Sequence, residues 1–230
     1  MNAVAIITAR GGSKRIPRKN VKEFLGKPIL LYSIEAALNS GIFEEVMVST
    51  EDEEIARLAR EAGASVPFMR GEENANDFAT TTDVLLEVLD AYEKQGRHFE
   101  FGCCIYPTAP FVTEQKLNDS MTKLEQSDAD TLIPVVPFSF PPQRGMVIRE
   151  DKLQFVQPEH ALTRSQDLEH WYHDAGQFYC FRTENFKRNK ILTVGKVLPL
   201  VVSELEVQDI DTISDWKIAE MKYEAMVEKK

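Results

Sequence analysis

A short apolar run, Ala3-Val4-Ala5-Ile6-Ile7, breaks at residue 8 into TARGGSKRIPRKN, residues 8–20, and this junction constrains the chain more than any other stretch. The run is uncharged, β-rich and bounded by a glycine pair, so it reads as a short buried strand. Gly11 and Gly12 let the following loop turn tightly with N–H groups aimed at a ligand, as in a phosphate-binding nest. Five cations crowd the same loop: Arg10, Lys14, Arg15, Arg18 and Lys19. Arg10 offers a planar fork matched to phosphate oxygens, and Ser13 adds a hydroxyl donor. Pro17 fixes the chain behind the loop, and Asn20 can hold a turn or donate to a ligand. The pattern predicts a polyanion at this loop.

Charge distribution supports that reading. Residues 1–30 hold seven Lys/Arg against the single acid Glu23, in a chain whose net charge is −10. A solvated basic face could carry such a cluster, but here it coincides with a strand, a Gly-Gly turn and a proline. The overall negative charge argues against a nucleic-acid partner. Neither G-x-x-x-x-G-K-[ST] nor G-x-G-x-x-G follows the first strand, which disfavours P-loop and dinucleotide-binding enzymes.

Further on, strand-like and helix-like patterns alternate. They predict an α/β fold, a mainly parallel, doubly wound (Rossmann-like) sheet in a single domain over residues 1–230. Leu30, Leu31, Ile34, Ala37 and Leu38 recur at helical spacing up to Gly41. Val46-Met47-Val48 reads as a second strand, with Ser49 or Thr50 capping the next helix, and Ala64-Ser65-Val66 as a third. Asp77, Thr80, Thr81 and Thr82 could each cap the helix bearing Val84, Leu85, Val88 and Leu89. Phe101 to Ile105 is the most apolar strand candidate and is expected at the centre of the sheet. Residues 137–172, rich in proline and hairpin-like pieces, read as an insertion leaving that sheet. Cys103, Cys104 and Cys180 read as reduced core residues, and with no apolar run long enough to span a bilayer the expectation is a soluble, cytoplasmic protein. His170 and His173 are spaced for a metal only if helical, and no further ligand completes a set. Near the end, Asp209 and Asp211 stand at i and i+2. On an extended chain they would share a divalent cation; otherwise Asp211 merely caps the last helix, 213–227.

Several of these pieces resemble the acylneuraminate cytidylyltransferases. Their N-terminal signature, A-R-x-x-S-K, Pro, K-N, stands here as Ala9-Arg10-Gly11-Gly12-Ser13-Lys14, Pro17 and Lys19-Asn20. The family's P-T-S-P is matched by Pro107-Thr108-Ala109-Pro110, and its D-I-D-T by Asp209-Ile210-Asp211-Thr212. Ser139 to Arg144 and Tyr172 to Gln177 are similar to the branch that activates pseudaminic acid.

The resemblance implies an enzyme that transfers CMP from CTP to the anomeric hydroxyl of an acidic nine-carbon 2-keto sugar, releasing pyrophosphate. Arg10, Gly11, Gly12, Ser13, Lys14, Lys19 and Asn20 would hold the triphosphate, with Arg70 and Thr81 also near the nucleotide. Lys19, Arg10, Asp209 and Asp211 would carry the catalysis, the two acids through Mg²⁺. Tyr106, Arg144, Arg164, Gln166, Tyr172, Gln177 and Tyr179 would surround the sugar, with Arg164 pairing its carboxylate. Tyr106 stands where sialic-acid relatives have Gln. Residues 137–172 would supply the contact of a homodimer and act as a lid over the substrate. Sialic or legionaminic acid is the alternative sugar, and a non-catalytic nucleotide sensor the more distant alternative.

Overall fold

A computed structural model describes residues 1–76 and 78–228; Asp77, one of the cap candidates, lies outside them. In chain order the strands are β1 (Ala3–Thr8), β2 (Glu23–Phe24), β3 (Lys27–Pro28), β4 (Glu45–Ser49), β5 (Phe101–Ile105), β6 (Thr131–Pro137), β7 (Met146–Arg149), β8 (Lys152–Phe155), β9 (Tyr172–Asp174), β10 (Phe178–Arg182) and β11 (Val197–Val201). The helices are α1 (Ile29–Ser40), α2 (Glu53–Glu61), α3 (Thr81–Lys94), α4 (Glu114–Glu125), α5 (Thr183–Asn189) and α6 (Ile213–Val227).

Among the described residues, seven strands form one sheet in the order β11-β6-β10-β5-β1-β4, with β9 also pairing β6. β1 runs parallel to β4 and β5, and β11 parallel to β6, whereas β10 is antiparallel to β5 and β6. Alternation along β1 explains the two covered faces. Ala3, Ala5 and Ile7 pack with Leu30 and Ile34 of α1, Ile55 of α2 and Leu117 of α4. Val4 and Ile6 pack with Leu85 and Leu89 of α3 and Phe186 of α5. β5 is central, as its apolarity predicts, and Gly102 is required there because an added Cβ would come within 2.3 Å of the Phe181 ring on β10.

Local differences from the sequence reading have physical causes. Ala64-Ser65-Val66 is not a strand: Ser65 makes a single bridge to β4, and Pro67 then removes the next donor. The cap of α2 is Asp52, not Ser49 or Thr50, and its Oδ1 accepts from the N–H groups of Glu54 and Ile55 at 3.0 and 3.1 Å. Ser49 belongs to β4, and its Oγ takes the Arg70 Nε instead. Thr80 caps α3 and Thr212 caps α6, each completing a box with the Asp three residues on.

Beyond β6 the chain leaves the sheet. Among the described residues β7 and β8 pair only with each other, through a two-residue turn whose Glu150 and Asp151 both have positive φ. It returns as β9, antiparallel to β6, where Tyr172 faces Pro137. The three cysteines are buried free thiols. No helix among the described residues is long and apolar enough to cross a membrane.

Candidate active site

Beyond the carboxyl ends of β1, β4 and β5, where open α/β sheets receive ligands, lies a cavity of about 460 Å³. Arg10, Ser13, Lys14, Arg15, Lys19 and Asn20 form one wall of it. The loop takes its shape from its own polar groups. Asn20 is buried and its Nδ2 donates to the Arg10 carbonyl at 2.8 Å, while the Ser13 N–H donates to the Gly11 carbonyl at 3.0 Å. Gly11 is needed for close approach rather than for an unusual φ, since a Cβ there would meet the Asp52 carboxylate at 2.4 Å; Gly12 faces open space. The Gly11 N–H is directed to Glu51 Oε1 at 2.7 Å. Arg18 turns away from the cavity and pairs with Asp52 and Glu54.

The opposite wall carries Arg70, Asn74, Asn76, Thr80 and Thr81. Arg70 is almost fully buried; its Nε donates to Ser49 Oγ at 3.0 Å and its Nη2 to the Ser49 carbonyl at 2.6 Å. Burial lowers its pKa, with Glu51 and Glu87 opposing and Arg10 adding to the fall, which places two guanidinium groups in one field. Tyr106 closes the floor, with Thr81 Oγ1 3.4 Å from its hydroxyl and the Tyr179 ring edge-on at 5.5 Å. Tyr179 donates to Asp174 Oδ2 at 2.7 Å, and burial pushes both phenols above the usual tyrosine range.

The two ends of the chain meet at this loop. Ile16 and Ile210 are buried in one cluster with Phe24, Ile29, Phe111 and Trp216, which pulls the D-I-D-T segment against the basic loop. Lys19 Nζ donates to the Ile210 carbonyl at 2.7 Å and stands 3.9 Å from Asp211 Oδ1; Arg15 pairs with Asp211 Oδ2. Burial lowers the Lys19 pKa, and Asp211, then Asp209, partly restore it. The cap of α6 is Thr212, so the Asp211 carboxylate is spared for these cations. The two acids flank a buried isoleucine and both lie within the field of Lys19; among the described residues no group of three or more His, Cys, Asp or Glu gathers to hold a metal, so a Mg²⁺ on this hard-oxygen pair would draw its other ligands from water and phosphate.

The residues read as sugar contacts are not all at this cavity. Tyr106 lines it and Tyr179 lies behind it. Gln177 is buried beside Glu206, whose carbonyl takes its Nε2. Arg144, Arg164, Gln166 and Tyr172 lie outside the lining, on or next to the excursion. Arg164 is exposed and forked onto Asp167 at 2.7 and 3.1 Å, and Arg144 reaches Ser165 Oγ at 3.3 Å. Gln166 borders a separate cavity of about 240 Å³ with Phe138, Pro141 and Trp171, and Tyr172 is exposed on β9. Asn74 and Asn76 carry no motif: within residues 70–76 only Arg70 is marked by the resemblance, and the rest is a polar stretch without spacing of its own. Arg15 stood out only as one cation of five. His173 is exposed on β9, where no helical pairing with His170 exists.

This frame is that of the nucleotidyltransferases. A solved CMP:2-keto-3-deoxy-manno-octonic acid synthetase, in complex with CTP, superposes with a TM-score of 0.71 at 18% identity, over 99% of both chains. The 4-diphosphocytidyl-2C-methyl-D-erythritol synthase of Anaerococcus prevotii superposes at 0.64 and 16% identity, over 96% of this chain and 98% of that one. The chain belongs to the cytidylyltransferase family, whose sequence model matches residues 4–209. Among its relatives are the pseudaminic acid cytidylyltransferase of Campylobacter jejuni, 39% identical over 97% of each chain, and the CMP-N,N'-diacetyllegionaminic acid synthase of Legionella pneumophila, 31% identical over 99% of this chain and all of that one.

Proposed function

We infer that the protein transfers CMP from CTP to the anomeric hydroxyl of an acidic nine-carbon 2-keto sugar, pseudaminic acid in the first instance, and releases pyrophosphate. The observation that carries this reading is the meeting of the basic loop with Asp211, 3.9 Å from Lys19, beside the cavity. The sugar class rests on the 39% identity over nearly the full length to a pseudaminic acid cytidylyltransferase.

The hydroxyl oxygen attacks the α-phosphorus as its proton passes to Asp209 or to a water, the bond to the bridging α–β oxygen breaks, and pyrophosphate departs with that electron pair. Negative charge grows on the phosphoryl oxygens, so prearranged cations should supply most of the rate enhancement. Arg10, Lys14 and Lys19 hold the triphosphate, Ser13 donates to it, and Asn20 keeps the loop in shape through the Arg10 carbonyl. Arg70, braced by Ser49, and Thr81 face the nucleoside side of the cavity. Asp209 and Asp211 would hold Mg²⁺, which when bound neutralises charge on the phosphates and the sugar carboxylate. Tyr106 faces the sugar, with Tyr179 packed behind it and Gln177 buried on the Glu206 carbonyl, whereas Arg144, Arg164, Gln166 and Tyr172 would reach it from the 137–172 lid of the partner in a homodimer. The apolar side chains exposed on β7 and β8 support such a contact, and the unpaired thiols fit a cytoplasmic enzyme.

A panel of 2-keto acids offered with each of the four nucleoside triphosphates, scored by pyrophosphate release, tests the reading. Release with CTP and pseudaminic acid is expected. Release with sialic or legionaminic acid instead would shift the substrate, and stabilisation by CTP without release on any sugar would indicate a nucleotide sensor.

A further inference from the structure

Behind the cavity stands a carboxylate that the reaction above does not use. Glu87, on α3, is not among the lining residues, yet both its oxygens are committed to the wall. Oε1 accepts from the Gly71 N–H at 2.6 Å, and Oε2 accepts from Asn74 Nδ2 at 2.8 Å. Gly71 precedes a single 3-10 turn, Glu72–Asn74, that has no side-chain cap. That turn is held from within by two backbone bonds, Asn74 N–H to the Gly71 carbonyl at 3.0 Å and Ala75 N–H to the Glu72 carbonyl at 3.2 Å. So short a 3-10 piece has poor hydrogen-bond geometry and little stability of its own. The helix that carries Glu87 is firmly seated, because Val84, Leu85, Val88 and Leu89 are buried on the sheet. Glu87 thus ties a weak segment to a rigid one by charge-assisted bonds. Its field also favours the charged form of Arg70, the residue immediately before the turn.

We propose that Glu87 is a positioning residue for the nucleotide: it holds the 71–74 turn, and with it Asn74, at the cavity before the ligand arrives. The inference rests on the reading of this cavity as the CTP site. Preorganisation of this kind lowers the ordering cost of binding and leaves the chemical step alone.

Glu87→Ala removes both bonds. Glu87→Gln is the milder variant, keeping an acceptor for Gly71 but setting an amide NH₂ against Asn74. Three quantities decide the matter: KM for CTP and kcat at saturating sugar, the CTP Kd by calorimetry without sugar, and amide hydrogen exchange across residues 71–75. In Glu87→Ala, KM and Kd should rise about five- to tenfold, the net size of one ordinary hydrogen bond, with kcat within about twofold of wild type. Exchange at Gly71 should quicken, and Glu87→Gln should fall between. Asn74→Ala should raise Kd as well, and the double variant should cost less than the two singles summed, since the Glu87–Asn74 bond is lost in each. Unchanged Kd and unchanged exchange in both Glu87 variants, with wild type binding CTP, would overturn the proposal. So would a fall in kcat and melting temperature with Kd unmoved. If wild type binds no CTP, the function reading fails instead, and unchanged exchange at Gly71 would still refute the clamp by itself.

Discussion

Lys19 joins the two halves of the candidate site, the basic loop and the D-I-D-T segment. It is largely buried, it touches the carbonyl between the two acids, and burial lowers its pKa while Asp211 and Asp209 hold its charge. A fixed cation so placed stabilises charge that develops in the transition state and needs no rearrangement to do so. Lys19→Met should lower kcat/KM for CTP by about 2–4 kcal/mol in transition-state terms, measured by initial-rate pyrophosphate release. Residue types at this scale were legible, because cations, a hydroxyl and glycines in a post-strand loop have few other uses. What each glycine does was not legible. Gly11 is demanded by the Asp52 carboxylate from the next strand–helix junction, a contact between residues forty-one apart that local spacing cannot reveal.

Helix ends shape the site at the scale of elements. Asp52 caps α2 and also pairs with Arg18, so one carboxylate seats a helix and anchors the back of the basic loop. The Arg18 guanidinium, helped by the N–H groups of Ile55 and Glu54, holds the Asp52 carboxyl below the ordinary aspartate range. A carboxyl lowered on folding contributes stability above its unfolded pKa, about 3.9, and loses that contribution as pH falls through the folded value. Asp52→Ala should therefore cost about 1 kcal/mol by urea denaturation at neutral pH, and the difference from wild type should shrink below about pH 4. A constant difference down to pH 2.5 would contradict this. Helix and strand identities were readable from apolar periodicity, and α6 spans the residues expected. The α2 cap was misplaced because Ser49 is claimed by Arg70 from a distant loop, and Ala64–Val66 fell short of a strand because Pro67 lacks an N–H.

In the whole molecule, a buried apolar cluster explains why residues 10–20 and 209–211 meet although they lie far apart in the sequence. Ile16 and Ile210 share one buried cluster, and the polar residues beside them converge as a consequence. The resemblance in the signature motifs foresaw the pairing of these ends; the apolar pattern alone could not, since it fixes faces and not neighbours. The excursion was legible as a hairpin that leaves the main sheet, from its prolines and short apolar pieces, whereas what its exposed apolar groups pack against was not, because a single chain's pattern holds no partner surface. Ile148 and Leu153 are 74% and 68% exposed there, so Ile148→Lys with Leu153→Glu should convert a dimer to a monomer by light scattering. A monomeric wild type would remove the proposed role of residues 137–172. In the proposed reaction the basic loop and the Asp211 carboxylate act on one triphosphate. Asp211→Asn assayed for pyrophosphate release at saturating CTP, sugar and Mg²⁺ tests it most directly. The expected result is a fall in turnover of about thirtyfold or more with the melting temperature near that of wild type, and wild-type turnover in this variant would contradict the claim.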